Sequence, residues 1–298
     1  MTESVNGYAP TPLFVGERMS VGRFVARPSD SWFADCGPAR GHLVVFPRLP
    51  VRITHAGKEP VIADATRVMF YNRGQEYRRE ALTPEGDRCL WLSFEEGDVR
   101  DAHLDEPGAD GRPFAATDGP GDARSFLLQA LVARQVEDRT PDSPLIVEEL
   151  AMHLLRRAVA AARRTPSRPL ASHVELAERL RRVLHRALPA GASLAAIARE
   201  ARTSPFHAAR VFKRHTGLTL HGYLDALRLC RALERLLDGE RDLTALALDV
   251  GYGSHSHFTL AFRRRFGVPP SEARRLALPT RLAQLRGTLT REPRRAGF

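Results

Sequence analysis

Ser193-Leu-Ala-Ala-Ile-Ala-Arg-Glu200, continuing to Thr203-Ser-Pro-Phe-His-Ala-Ala-Arg-Val-Phe-Lys-Arg-His-Thr-Gly217, is a stretch the chain writes twice. The second version runs Asp242-Leu-Thr-Ala-Leu-Ala-Leu-Asp249 and continues to Gly253-Ser-His-Ser-His-Phe-Thr-Leu-Ala-Phe-Arg-Arg-Arg-Phe-Gly267. Ile197-Ala198 aligns with Leu246-Ala247, Phe212 with Phe262 and Gly217 with Gly267, and the second copy holds one extra residue in its turn. An internal repeat outranks local propensity in deciding architecture. Ser193 and Asp242 are N-cap types opening a short helix with buried Leu, Ile and Ala. Small Ala198 and Ala247 allow a second helix to cross closely. Ser204 or Ser254 then caps that helix, with Pro205 at its first position, where a missing N–H costs nothing. Phe212, or Phe258 and Phe262, points inward at helical spacing, and Gly217 and Gly267 stand at the C-terminal stop. The outward face carries Arg210, Lys213 and Arg214 in one copy and Arg263, Arg264 and Arg265 in the other. The pattern is a helix-turn-helix in duplicate, each second helix apolar on one side and cationic on the other, a shape suited to a phosphate-lined groove.

Charge falls in the same place. The 298 residues carry a net charge of +10, yet residues 170–298 hold 23 Lys+Arg against 11 Asp+Glu, while residues 1–169 hold 22 against 24. All the excess positive charge therefore accompanies the repeat and points to a polyanionic partner for that part of the chain. The three cysteines, Cys36, Cys89 and Cys230, are far apart with no C-x-x-C pair, which argues against a disulfide framework or a zinc finger and for reduced thiols in a cytoplasm. The N-terminus lacks a basic and apolar leader pattern, and no apolar run approaches a membrane span, so a cytoplasmic location is expected.

Upstream, residues 1–20 read as a loose lead-in. Between Val21 and Phe94, short β-branched or aromatic segments such as Gly41–Pro47, Val51–His55, Val68–Tyr71 and Cys89–Phe94 alternate with turn signals. They predict a small β-barrel whose mouth can take a small molecule. Asp98–Asp122 reads as an irregular connection. Two amphipathic helices follow, Asp122–Asp138 and Ser143–Arg164, and either cover one face of the barrel or form a homodimer contact. Thr165-Pro-Ser-Arg-Pro-Leu170 marks the domain boundary. Beyond it, Ser172 caps a helix to about Leu188, and His221–Leu237 forms a rod fixing the spacing of the two copies. The expected fold is α+β and multidomain. Residues 1–110 form the barrel, 111–165 the helical connection, 170–276 the all-α part and 277–298 a basic tail.

The C-terminal stretch, above all Leu246-Ala-Leu-Asp-Val-Gly-Tyr-Gly-Ser-His-Ser-His-Phe-Thr-Leu-Ala-Phe-Arg-Arg-Arg-Phe-Gly-Val-Pro-Pro-Ser-Glu-Ala-Arg274, resembles the DNA-binding domain of the AraC/XylS family of bacterial transcription regulators. The likeness covers about residues 175–276, and the upstream barrel is similar in pattern to the cupin-like sensor of many members. The resemblance implies a seven-helix domain whose two recognition helices enter successive major grooves of double-stranded operator DNA. Carried over by position, base contacts come from Phe206, Ala209 and Arg210 in the first helix and His255, Ser256, His257 and Leu260 in the second. Phosphate contacts come from Thr203, Ser204, Arg214, Arg263 and Arg264. RNA polymerase, a small-molecule effector and a second copy of the chain are the further partners that follow. Leu260 replaces an Arg common in relatives, and Leu220 a Pro at the start of the linking helix.

A metal-dependent cupin enzyme needs a facial set of His and carboxylate ligands, whereas His42, His55 and His103 are isolated and Glu76-Tyr77 stands alone; neither catalytic residues, metal nor cofactor are expected. The barrel could instead serve only for dimerisation. Thiol sensing at Cys36 or Cys89 is a third reading.

Overall fold

A computed structural model describes residues 11–34, 36–102, 111–138, 143–163, 171–188 and 193–276. The Thr165–Leu170 boundary, the 277–298 tail and His103 lie outside the described residues. Among the described residues, nine strands come first, interrupted once by a helix: β1 (Thr11–Val15), β2 (Met19–Ala26), β3 (His42–Pro47), β4 (Val51–His55), β5 (Val61–Ala63), β6 (Arg67–Tyr71), β7 (Tyr77–Ala81), β8 (Asp87–Phe94), α1 (Glu96–Ala102) and β9 (Asp118–Pro120). Nine described helices then complete the order: α2 (Ala123–Asp138), α3 (Ser143–Arg163), α4 (Ala171–Ala187), α5 (Leu194–Glu200), α6 (Pro205–Thr216), α7 (Leu220–Leu237), α8 (Leu243–Asp249), α9 (His255–Phe266) and α10 (Pro270–Leu276).

The mixed α/β class and the division into sheets then helices agree with the sequence reading. Closure of the barrel does not. The strands form two separate antiparallel sheets, β1-β2-β8-β3-β6-β9 and β5-β4-β7. The larger sheet ends at β1 and β9, so no continuous hydrogen-bonded ring forms among the described residues. Part of the lead-in is also ordered, because Thr11–Val15 and Met19–Ala26 pair with each other despite Pro12 and Gly16. Pro12 is tolerable because β1 is an edge strand. The connection from Asp98 onward holds the end of α1 and β9, and Ser172 lies inside α4 rather than before it.

Period-two alternation gives the large sheet two different faces. Leu90, Leu92 and Phe94 of β8 point into one core with Val44, Phe46, Val68 and Phe70. Cys89, with Val45, Met69 and Tyr71, points into the other, where Val51, Ile53 and Ala63 of the small sheet meet them. Helices α2 and α3 cover the first face with Phe126, Leu127, Leu131, Leu150, Leu154 and Leu155. Of the two expected roles for this hairpin, covering the sheet is thus the one these side chains perform. Leu145, at the start of α3, is 75% exposed and takes no part in this contact.

Candidate nucleic-acid interface

The duplicated stretch folds as two copies of one unit. In the first, Ser193 Oγ accepts the Ala196 N–H at 3.2 Å and Ser204 Oγ the His207 N–H at 3.2 Å. In the second, Asp242 Oδ1 accepts the Thr244 and Ala245 N–H groups at 2.9 Å, and Ser254 Oγ the His257 N–H at 3.2 Å. Gly217 and Gly267 close the second helices in the left-handed region, at φ 74° and 81°, each donating to the carbonyl four residues back. Thr219 caps α7 by accepting the Gly222 N–H at 3.0 Å, so Leu220 is helical without the proline usual there.

The turns repeat bond for bond. Arg202 N–H reaches Arg199 O and Thr203 N–H reaches Ala198 O, both at 3.0 Å; Gly251 N–H reaches Leu248 O and Tyr252 N–H reaches Ala247 O, both at 2.9 Å. This turn requires a left-handed residue. Gly251 supplies it at φ 90°, whereas Arg202 is held there at φ 52°. Left-handed backbone costs an ordinary L-residue about 1–2 kcal/mol, offset in part by the greater freedom glycine has when unfolded. Arg202→Gly is therefore expected to raise stability by about 0.5–1 kcal/mol, read as a higher urea midpoint with an unchanged m-value.

The second helix of each copy is amphipathic. Ala208, Val211 and Phe212 are buried in α6, and Phe258, Phe262 and Phe266 in α9. Phe212 meets Tyr223 edge-on at 5.2 Å, and Phe258 stacks between Tyr252 and Phe262 at 5.5 and 5.7 Å. The opposite faces are open. Phe206 is 77% exposed and Leu260 57%, unusual for side chains with nothing to gain from water. Beside Phe206 lie Arg210, Lys213 and Arg214, all exposed, with the Arg210 guanidinium 6.0 Å from the Phe206 ring and 3.4 Å from His207 Nδ1. Ala209 is half-buried on this face. On α9, His255, Ser256, His257, Arg263 and Arg264 are exposed with Leu260. The His257 ring also rests 5.3 Å from Tyr252. Arg265 departs from the expected cationic face: it is half-buried and leans over Phe266 at 5.9 Å. Thr203 is half-buried in the turn, and Ser204 is committed to its cap.

The two sheets enclose a second feature. A cavity of about 360 Å³ lies between them, lined by Phe24, Leu43, Ile53, Met69, Tyr71 and Trp91 among others. Its buried charges cancel, since Arg79 Nε stands 2.7 Å from Asp87 Oδ2 and the guanidinium lies over the Phe24 ring at 4.3 Å. Burial pushes the Asp87 carboxyl up even with Arg79 beside it. The Trp91 indole N–H is buried and has no hydrogen-bond partner among the described residues. Cys89 also lines this space, and burial pushes its thiol well up, which starves it of reactive thiolate. Cys230 is likewise buried, its thiol pushed up to about 12 by desolvation. Cys36 is partly exposed, with Sγ 3.6 Å from Phe33 O. Among the described residues, no three His, Cys, Asp or Glu side chains gather as a metal would require. His42 faces Glu96 at 3.9 Å, and His55 bonds Gln75 at 2.8 Å through Nδ1. No described helix is long and apolar enough to cross a membrane.

Paired capped helices joined by a left-handed turn, each presenting a cationic and unburied face, define a double helix-turn-helix. Residues 197–276 match the family model described as a helix-turn-helix domain. Over 65 residues the chain is 42% identical to the HTH-type transcriptional activator RhaS of Escherichia fergusonii, a match covering 22% of this chain and 23% of that protein. RhaS of Enterobacter sp. is 42% identical over the same length and coverage. The similarity therefore spans about a quarter of the curated relatives it reaches. Among solved structures, fatty-acid-bound ToxT from Vibrio cholerae covers 88% of this chain and 96% of its own at 13% identity, with a TM-score of 0.36. An AraC-type regulator from Chromobacterium violaceum covers 37% and 97% at 24% identity, with a TM-score of 0.34.

Proposed function

We propose that the protein is a sequence-specific DNA-binding transcription regulator of the AraC/XylS type, reading a two-part site with α6 and α9. The observation that carries this reading is the pair of recognition helices that repeat each other in caps, turn and buried Phe while leaving Phe206, Arg210, Leu260 and the flanking arginines uncovered. In this reading Phe206, Ala209, Arg210, His255, Ser256, His257 and Leu260 face base edges. Arg210 offers a paired donor to guanine, and Leu260 an apolar contact to a thymine methyl. Thr203, Ser204, Arg214, Arg263 and Arg264 meet phosphates, which position the protein without reading sequence. Residues 170–276 act as the reader and residues 1–110, a cupin-like pair of sheets, as the sensor, joined through the 111–165 hairpin.

The lining of the cavity supports one class of effector. Its apolar aromatic lining and internally matched Arg79–Asp87 pair favour an uncharged, flat molecule, and Trp91 favours one carrying a hydrogen-bond acceptor. Such a ligand regulates only by binding two states of the protein unequally. A platform used purely for dimerisation would leave this space without a role.

Substitution separates the two kinds of contact. Arg210→Ala is expected to lose about 1–3 kcal/mol of discrimination at one base position while changing affinity for random duplex little. Arg263→Ala should weaken binding evenly on all sequences and reduce the salt slope by about 1. Fluorescence-anisotropy titrations at several salt concentrations on specific and random duplex measure both. Equal losses on both duplexes for both variants would refute the assignment.

A further inference from the structure

The two helix-turn-helix units are attached to the rest of the molecule by a different balance of chemistry, the second mainly by apolar packing with one ion pair, Arg48 Nε to Glu234 Oε1 of α7 at 3.4 Å. The C-terminal part of α7, from Leu229 to Leu237, shares one apolar cluster with α9 and α2 that continues into the large sheet. The N-terminal part of α7, with Leu220, Tyr223, Leu224 and Leu227, belongs to a separate cluster with α4, α5 and α6, to which the strands contribute Ala65 at the margin. The first unit is joined to the strands by buried polar groups instead. Glu178 Oε2 of α4 accepts the Ile62 backbone N–H at 2.6 Å, and its other oxygen accepts from Arg67 Nη2 at 2.9 Å. Arg181 Nη1 donates to Asp64 Oδ2 at 2.9 Å and to Thr66 Oγ1 at 3.1 Å. Tyr223 donates its hydroxyl hydrogen to Asp64, and the His185 ring lies 3.2 Å from the same carboxylate oxygen. Asp64, Arg67, Glu178 and Arg181 are all buried, Asp64 to 1% exposure.

A buried ion-pair network adds little stability compared with an apolar contact of the same size, but it tolerates only one geometry. The strands that carry it also wall the cavity. Ala63 of β5 and Met69 and Tyr71 of β6 line that space, while Ile62, Asp64, Thr66 and Arg67 of the same segment, which passes from the small sheet to the large one, hold α4 and α7.

We propose that this β5–β6 segment is a polar clasp through which the N-terminal sheets govern the first helix-turn-helix alone, seating α6 for its half of the DNA site while α9 stays fixed by apolar packing. Cavity occupancy reaches the DNA through it. The regulatory part rests on the DNA-binding reading above; the selective attachment of the first unit does not.

The test uses the full-length chain. Asp64→Asn removes the central charge, and Glu178→Gln loosens α4 more gently. The double variant Asp64→Asn/Arg181→Met removes both charges together, so that no unpaired charge is left buried if the single variant fails to fold. Amide hydrogen exchange is followed by mass spectrometry without DNA. The clasp predicts faster exchange in α4, α5 and α6 and unchanged exchange in α2 and α9. Unchanged exchange in α4–α6, or an equal rise in α9, would overturn it. Binding is then measured on a duplex selected by the wild-type chain and on versions with either half scrambled, the α6 half being the one at which Arg210→Ala loses discrimination. The clasp variants should lose at least about fivefold in affinity for the intact site and become insensitive to scrambling the α6 half while keeping the penalty at the α9 half. Equal sensitivity to both halves would overturn the regulatory role. If no duplex is selected at all, the DNA-binding reading fails, and the exchange experiment still decides the clasp.

Discussion

Phe258→Ala is expected to destabilise the protein by about 3–5 kcal/mol, the range for truncating a fully buried aromatic. The Phe258 side chain has no exposure and sits between Tyr252 and Phe262, in the apolar cluster that α9 shares with α2 and the sheet. The deletion leaves a cavity at a junction where helices from both halves of the chain converge and cannot all close in together. A chemical-denaturation curve should show a midpoint lowered with the m-value intact, and DNA affinity should fall with it. Phe206→Ala is the control on the opposite kind of surface. That ring is 77% exposed, so its loss should change stability by less than about 0.5 kcal/mol. A small effect of Phe258→Ala would mean that the recognition helix does not depend on its buried face.

Acid should cost nearly as much through one ring. Burial holds the His55 imidazole down from the ordinary 6.5 to about 4, with Lys58 adding to the effect and Asp118 opposing it. Nδ1 is engaged with Gln75, and the ring packs 4.8 Å from Tyr71. A group whose folded value is depressed binds fewer protons folded than unfolded. Its stabilisation is therefore full above about pH 6.5 and is lost as pH falls towards 4. At 1.36 kcal/mol per unit, the loss across this window is about 3 kcal/mol. Asp64 acts in a lower window. Burial alone would raise its carboxyl, but Arg181 and His185 outweigh burial and hold it well below the usual carboxylate range, so its contribution is lost only in stronger acid. Burial also depresses His42 and His215, so urea midpoints at pH 7 and pH 5 are compared between wild type and His55→Gln. About 2 kcal/mol of the wild-type loss between them belongs to His55 and should be missing from His55→Gln.

The C-terminal half was legible because its constraints are local. Ser193, Ser204, Asp242 and Ser254 cap within three residues, the buried Phe residues recur at helical period, and the repeat checks each assignment against its twin. Arg202 escaped notice because the same turn carries glycine only in the second copy. Arg265 was misplaced because three adjacent arginines look alike in sequence, while only the fold turns one of them towards Phe266. The strands were legible as strands, yet not their closure. Whether the larger sheet pairs with β4 or ends at β9 depends on partners that alternation does not identify. The clasp was invisible for the same reason. Asp64 and Arg181 are 117 residues apart, and neither belongs to a motif. Of the base- and phosphate-facing candidates, the fold leaves most on open helix faces, while Thr203 and Ser204 are partly spent on the turn.

Selection of duplexes from a random pool by the full-length chain, followed by sequencing, tests the central claim most directly. Two recognition helices held by one rod predict two short enriched elements whose centres are a fixed distance apart, about one helical turn or 10–10.5 base pairs. No enriched sequence, or a single element with no second at constant spacing, would contradict it.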